Sequence, residues 1–266
     1  AGSNIVLDSS GNAFSNSVEM RADAGGEAFG NITFVDSAGI DFATSAGSNG
    51  DLYINSSTDG TVGGNLSVTA TTGNITDTVA LAISGTSSFT TSATNGTIAL
   101  NTPAALSGAV TLNTTGASGN ATIDNGTTAL NIAASTIGGN LTVTSGAAAG
   151  ITDSGTVTVA GNLVATTDDN NGVIDLGQMA VDGTVALTTN GNGAATIVND
   201  AGLSFAASTV GGALSATATN GDITDSGNLT ITGAATFITG VAGSNIVLDS
   251  SGNAFSNSVE MRADAG

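Results

Sequence analysis

The residues best equipped for chemistry are carboxylates, with one cation among them. Arg21 lies in a strand-like segment with Glu19 and Asp23 two positions to either side, so alternation brings all three to one face. Carboxylates beside a cation are the equipment of enzymes that cleave acidic polysaccharides. The chain has no His, Cys or Lys, however, which removes the usual nucleophiles, general bases and Schiff-base formers. We therefore read Glu19, Arg21 and Asp23 as an exposed charge cluster, assign no catalytic residue, and do not expect an enzyme.

A second constellation is Thr167-Asp168-Asp169-Asn170-Asn171-Gly172-Val173-Ile174-Asp175, where several side-chain oxygens crowd a glycine turn. It lacks the spacing and closing glutamate of an EF-hand and the glycine-rich nonapeptide of calcium-stacked rolls, so it reads as a solvated turn. Calcium there is the one cofactor kept open; no metal ligand or cofactor-binding residue is assigned. Asp77, Asp153 and Asp225 recur in the same Ile-Thr-Asp context and are expected to be turn formers that bond their own backbone. Asn-x-Ser/Thr sequons at Asn31, Asn65, Asn74 and Asn140 follow from a composition rich in Asn, Thr and Ser.

The composition behind these groups is that of an acidic, glycine-rich chain that folds. Of 266 residues 39 are Gly and one is Pro, aromatics make up 3%, and Ile, Leu, Val and Phe are spread evenly. The net charge is −19, and the two arginines are one repeat position counted twice. Such a chain cannot neutralise phosphates, which excludes nucleic acid as a partner, and its like charge favours solubility. No run approaches the ~18 apolar residues of a membrane-spanning helix. No signal peptide is visible, as expected of a slice from inside a longer protein. Without cysteine there are no disulfides, so strength must come from elsewhere.

The elements that would position these residues are set by repetition. Ala1 to Gly25 recurs letter for letter as Ala242 to Gly266. Between the copies, Gly63-Gly64-Asn65-Leu66-Ser67-Val68-Thr69 returns from Gly138 to Thr144 and, loosened, from Gly211 to Thr217. The marker leucines Leu66, Leu141 and Leu214 recur about 75 residues apart, and the step from Leu214 to the next unit's Leu66 is longer. We take residues 1–241 as one large unit of three sub-repeats, one carrying an insertion, and 242–266 as the start of the next identical repeat.

A finer period runs below these. Strand-like runs begin at Leu66, Phe89, Val110, Leu141, Leu163, Val185, Leu214, Phe237 and Val259, mostly about 22 residues apart, with steps of about 30 after Val110 and Val185. Apolar and polar residues alternate in each run, and Gly, Asn, Asp and Ser separate the runs. Three short strands and three turns in about 22 to 30 residues make one coil of an all-β, parallel β-solenoid. Each coil would hydrogen-bond to the next along the axis, with Val, Ile, Leu and Ala inside and Thr and Ser outside. Asn65 and Asn140 are expected at equivalent turns as amide ladders. The two copies of the duplicated segment are expected at equivalent positions one repeat apart along a rod.

The motifs Gly63 to Thr69, Thr72-Gly73-Asn74-Ile75-Thr76-Asp77 and Ser154 to Leu163, with similar text over nearly the whole chain, resemble the β-helical regions of large bacterial exoproteins of the filamentous haemagglutinin and autotransporter adhesin type. That resemblance implies a right-handed parallel β-helix, exported to a bacterial cell surface or beyond, that serves as an adhesin or fibrous structure. Near-identity between successive large units departs from the divergent coils of that group and favours a repetitive fibre. The leading expectation is an extracellular or cell-surface filament of β-solenoid repeats in tandem or stacked end to end, with lateral self-association as a further partner mode. The alternative is an adhesin whose solenoid faces bind glycans or host surfaces; polysaccharide cleavage ranks third.

Overall fold

In the computed structural model, residues 3–21, 30–43, 51–55 and 61–263 are described, and among them every regular element is a β-strand. Parallel pairing stacks the strands into a sheet of 14, a facing sheet of 15 and a short third sheet of three. This is the β-solenoid the periodicity predicts. From Leu66 to Val259 the first sheet climbs nine steps, which gives each turn roughly 21 residues. Strands at Ile5–Leu7 and Ile32–Asp36 add two turns below.

Each strand forms for the reason its alternation gives. In Leu66–Ala70 the residues Leu66, Val68 and Ala70 are buried while Ser67 and Thr69 are half-buried. The buried positions of successive turns fill one column between the sheets. Leu163 sits over Leu141 and Val185 over Leu163. Phe34, Phe42, Phe89, Phe205 and Phe237 are the largest fully buried side chains. Phe42 meets Phe89, and Phe205 meets Phe237, edge to face at 6.2 Å.

The Gly-Asn-Leu motif now has a physical reading. At the turn, Gly161 donates its N–H to the Gly139 carbonyl and Gly183 donates to Gly161, at 2.9 and 3.0 Å. A Cβ on Gly183 would lie 2.4 Å from the Gly161 carbonyl oxygen, so the column admits only glycine. The following Asn turns its side chain along the axis: Asn140 Oδ1 accepts the N–H of Asn162, and Asn162 Oδ1 accepts that of Thr184, both at 2.8 Å. The next residue, Leu or Val, enters the core.

The sub-repeats, however, do not stack on one another. Leu66, Ser87 and Val110 align in the first sheet. Leu141, Leu163 and Val185 align in the second. Leu214, Ala235 and Val259 return to the first. A sub-repeat is therefore three and a half turns, and the long steps after Val110 and Val185 are turns and a half rather than long coils. The expected ladder joining Asn65 to Asn140 is corrected accordingly. Asn4, Asn31, Asn65 and Thr86 form one series, Asn120, Asn140, Asn162 and Thr184 another, and in each bond a backbone N–H donates to the amide oxygen of the coil before.

The identical end segments follow the same rule. Ile5–Leu7 lies in the first sheet and Val18–Arg21 in the second, whereas Ile246–Val247 lies in the second and Val259–Arg262 in the first. The two copies are ten and a half turns apart along the path and face opposite ways, which corrects the expectation of equivalent placement. The insertion contributes the strand Asp51–Asn55, which slots between Val18–Arg21 and Ile40–Phe42 and so breaks the match between strand order and chain order.

The third strand of each coil also changes company. Thr61–Val62, Ala82–Ile83 and Ala105–Leu106 form a sheet of their own. Later, Ser135–Ile137 and Val157–Val159 join the first sheet, and Ser208–Val210, Leu229–Ile231 and Ala254–Phe255 join the second.

Candidate functional site

The charged cluster expected around Arg21 lies partly outside the described residues, which omit Asp23. Its C-terminal copy shows the geometry: Arg262 Nε donates to Glu260 Oε1 at 2.7 Å across the alternation, with both side chains about half exposed. The pairing, led by the hydrogen bond, holds the Glu260 carboxyl below its ordinary range and raises the guanidinium. In the loop from Thr167 to Asp175, three of the side-chain oxygens are engaged in the fold's own bonding. Thr167 Oγ1 donates to the Gly172 carbonyl, Asp169 Oδ1 accepts from the Asn170 N–H, and Asn171 Oδ1 accepts from the Asn192 N–H. Asn170 and Asn171 both hold left-handed backbone, φ 53° and 54°, which asparagine tolerates. Among the described residues no group of three or more His, Cys, Asp or Glu side chains gathers in one place.

The recurring aspartates reach along the axis, where bonds to their own backbone were expected; Asp153 also meets its own backbone N–H. Asp77 Oδ1 accepts from the N–H of Asn101 at 2.9 Å, Asp153 Oδ1 from Gly177 at 2.6 Å, and Asp225 Oδ1 from Asp249 at 2.9 Å. Each caps a backbone donor of the coil above. Desolvation raises the Asp77 and Asp153 carboxyls, opposed by those same backbone donors. The sequon asparagines are likewise engaged: the Oδ1 atoms of Asn31, Asn65, Asn74 and Asn140 all accept N–H groups one coil on.

What the sequence reading missed is the set of residues that turns the pattern over. At each change of face a strand of the same design ends in a buried Asn or Asp. These are Ile32 to Asp36, Ala121 to Asn125 and Ala195 to Asn199, and Asp36, Asn125 and Asn199 are at most 1% exposed. Asn125 brackets the third strand of the previous coil, with Oδ1 accepting the Leu106 N–H at 2.8 Å and Nδ2 donating to the Leu106 carbonyl at 3.1 Å. Asn199 makes the same pair of bonds to Val181, at 2.8 and 3.1 Å. Asp36 Oδ1 accepts from Phe14 at 3.2 Å.

Two short strands then cover the last strand of the outgoing sub-repeat. Ile132 lies over Val110 and Thr136 over Asn113; at the second change Phe205 lies over Val185 and Thr209 over Thr188. In the gap between them a serine substitutes for a strand carbonyl: Ser135 Oγ accepts the Leu112 N–H and Ser208 Oγ accepts the Leu187 N–H, at 3.0 and 3.1 Å. The readable signal was a pair of pentapeptides one sub-repeat apart, Ala-Thr-Ile-Asp-Asn from Ala121 and Ala-Thr-Ile-Val-Asn from Ala195.

The remaining candidate is the upper rung. Val259 and Met261 follow the inward positions of Ala235 and Phe237, yet they are 39% and 51% exposed. Met20, the copy of Met261, is 3% exposed, because Ile54 lies over it. The two methionines thus report the same rung, once with a strand laid over it and once without.

Comparison with known proteins agrees with this three-part organisation. No curated protein and no solved structure matches the chain. The sequence pattern of a family described as repeats of unknown function, DUF5649, matches residues 54–113, 118–168 and 192–262. Each match contains one marker leucine, Leu66, Leu141 or Leu214, and the second and third begin one sub-repeat apart. With most of its length covered by those three matches, the chain belongs to the DUF5649 repeat family.

Proposed function

We propose that this chain is structural, a segment of an extracellular or cell-surface fibre made of β-solenoid repeats, in a bacterium and without catalytic activity of its own. The observation that carries the reading is the behaviour of the duplicated segment. Residues 246–262, which copy the start of the chain, continue both sheets in register on the Ile223–Asp225, Leu229–Ile231 and Ala235–Thr239 strands. A large unit therefore ends in a rung that is also the first rung of its successor. Stacking satisfies the backbone along the axis, and the charge of −19 keeps such rods apart in solution.

The test is to append one further copy of the large unit and image both proteins. The longer chain should be a rod of the same width, extended by ten and a half steps of ~4.8 Å, about 50 Å. Two beads joined by a linker would overturn the reading.

One observation favours adhesion as a second role. Thr144, Thr166, Thr188, Thr209 and Thr230 pair in succession, one hydroxyl per rung on the second sheet. Such a row offers evenly spaced donors and acceptors to a polyhydroxylated surface such as a glycan. Binding of the intact chain to a glycan array, lost when Thr166, Thr188 and Thr209 become valine, would support it; an array without signal would remove it.

A further inference from the structure

We propose that Asn190 and Asn220 are sites of spontaneous covalent modification, where the folded chain converts asparagine to aspartate and isoaspartate. The other Asn-Gly pairs are shielded by the bonding of the rungs. The inference is independent of the fibre reading, since it concerns the chain's own backbone in water.

The reaction joins an Asn side chain to the backbone nitrogen that follows it. Water or hydroxide takes the proton from that N–H, the nitrogen bonds to the side-chain Cγ, and the Cγ–Nδ2 bond breaks to release ammonia. The product is a five-membered imide. Water then opens the ring at Cγ to give aspartate, or at the backbone carbonyl to give isoaspartate, whose main chain runs through Cγ. The sum is amide plus water to acid plus ammonia, with no change of oxidation state. Glycine in the second position favours ring closure because no Cβ crowds its nitrogen. A nitrogen whose proton is held in a buried hydrogen bond reacts only when the segment opens.

Six Asn-Gly pairs lie among the described residues, at Asn95, Asn125, Asn171, Asn190, Asn192 and Asn220. Four of them are closed. Gly96 donates its N–H to the Ala93 carbonyl at 2.9 Å, Gly172 to Asp169 at 3.1 Å and Gly193 to Asn190 at 3.0 Å, and all three glycines are buried. Gly126 donates to Asp124 Oδ1 at 2.9 Å, and the Asn125 side chain is itself held on Leu106. Asn95 and Asn171 are fixed a second time, since their Oδ1 atoms accept backbone N–H groups of the next coil, from Ser118 and Asn192.

Asn190 and Asn220 differ on each count. Both side chains are exposed, Gly191 is exposed and Gly221 half-buried. Among the described residues no hydrogen bond engages the N–H of Gly191 or Gly221 or either asparagine side chain. Both glycines have positive φ, 55° and 122°, so the turn itself selects the residue that leaves the preceding asparagine open to attack.

Each conversion adds a negative charge to a chain already at −19. At position 190 the isoaspartyl product also inserts a main-chain carbon directly before Gly191. The Gly191 carbonyl lies so close beneath Gly211 that a Cβ there would collide with it. That corner has no slack, so modification weakens the seat of the coil above.

The test holds the full chain for weeks in warm, mildly alkaline buffer, folded or in urea, then digests it with pepsin and weighs the peptides. Fragmentation tells isoaspartate from aspartate. In the folded chain, conversion should concentrate at Asn190 and Asn220, with the four shielded pairs slower by about tenfold or more, the factor one retained hydrogen bond imposes. In urea all six should convert at similar rates. Asn190→Gln/Asn220→Gln, which changes only exposed side chains, should suppress the acidic drift of the folded chain on isoelectric focusing. Shielded pairs that convert in the folded chain as fast as Asn190 and Asn220 would overturn the proposal. Either of those two lagging with the shielded set would overturn the assignment at that position.

Discussion

Met20 and Met261 occupy the same place in a segment carried twice, yet one is 3% and the other 51% exposed. Between them they measure what one additional coil does for the coil beneath. Met20→Ala should therefore cost about 2–5 kcal/mol, as for a buried methionine, and Met261→Ala well under that. Urea unfolding of the two variants checks the difference. In a chain extended by another unit the two costs should converge.

Asn125 and Asn199 hold the changes of face. Replacing either with leucine strips the bracket from Leu106 or Val181 and leaves a buried N–H and C=O without partners. A loss of about 1–3 kcal/mol for each orphaned group follows. The sites are separated by more than three turns, so the two effects should add in the double variant. Equal midpoints for Asn125→Leu and the parent chain would show that the bracket contributes nothing.

The glycine column offers a sharper contrast. An alanine at Gly183 would meet the Gly161 carbonyl at 2.4 Å, whereas a Cβ on Gly177 meets nothing within 4 Å. Gly183→Ala should lower the thermal midpoint or leave the protein unfolded. Gly177→Ala should be neutral, or stabilising by about 0.4–1 kcal/mol through the unfolded chain.

Acid should strengthen the fold before it weakens it. Asp77 and Asp153 have carboxyls raised above the ordinary 3.8, first by desolvation, so the folded chain binds these protons more readily than the unfolded chain. Their contribution is fully present below about 3.8 and is lost as pH rises through the folded values. Relief of repulsion at −19 acts in the same direction. The thermal midpoint should rise as pH falls from 7 toward 4. The double variant Asp77→Asn/Asp153→Asn, which keeps an acceptor oxygen for the N–H groups of Asn101 and Gly177, should start higher at pH 7 and respond less.

Most of the scaffold was legible in the sequence because a solenoid writes its period along the chain. Leu66, Leu141 and Leu214 announce the sub-repeats, and alternation in Leu66-Ser67-Val68 announces the strand. What could not be read was phase. The long steps after Val110 and Val185 look like coils with longer loops, and only the pairing of Val110 with Ile132 and of Ala121 with Leu141 shows that the chain has gone round one and a half times. Asn125 and Asn199 were hidden by their type, since in a chain so rich in asparagine nothing in the letters separates a buried bracket from a solvated turn. Asp77 and Asp225 were misread for a related reason: a carboxylate near a turn bonds its own backbone in an isolated loop, but here the closest unpaired donor belongs to the coil above.

The change of face every three and a half turns also governs straightness. Any wedge shape in a sub-repeat, such as one set by the tight glycine corner, bends the axis toward one side. The following sub-repeat, carrying the same wedge reversed, bends it back. Three sub-repeats leave one bend uncancelled per large unit, and the succeeding unit, itself reversed, cancels that. A long array should therefore run straight where a solenoid of uniform phase would accumulate curvature.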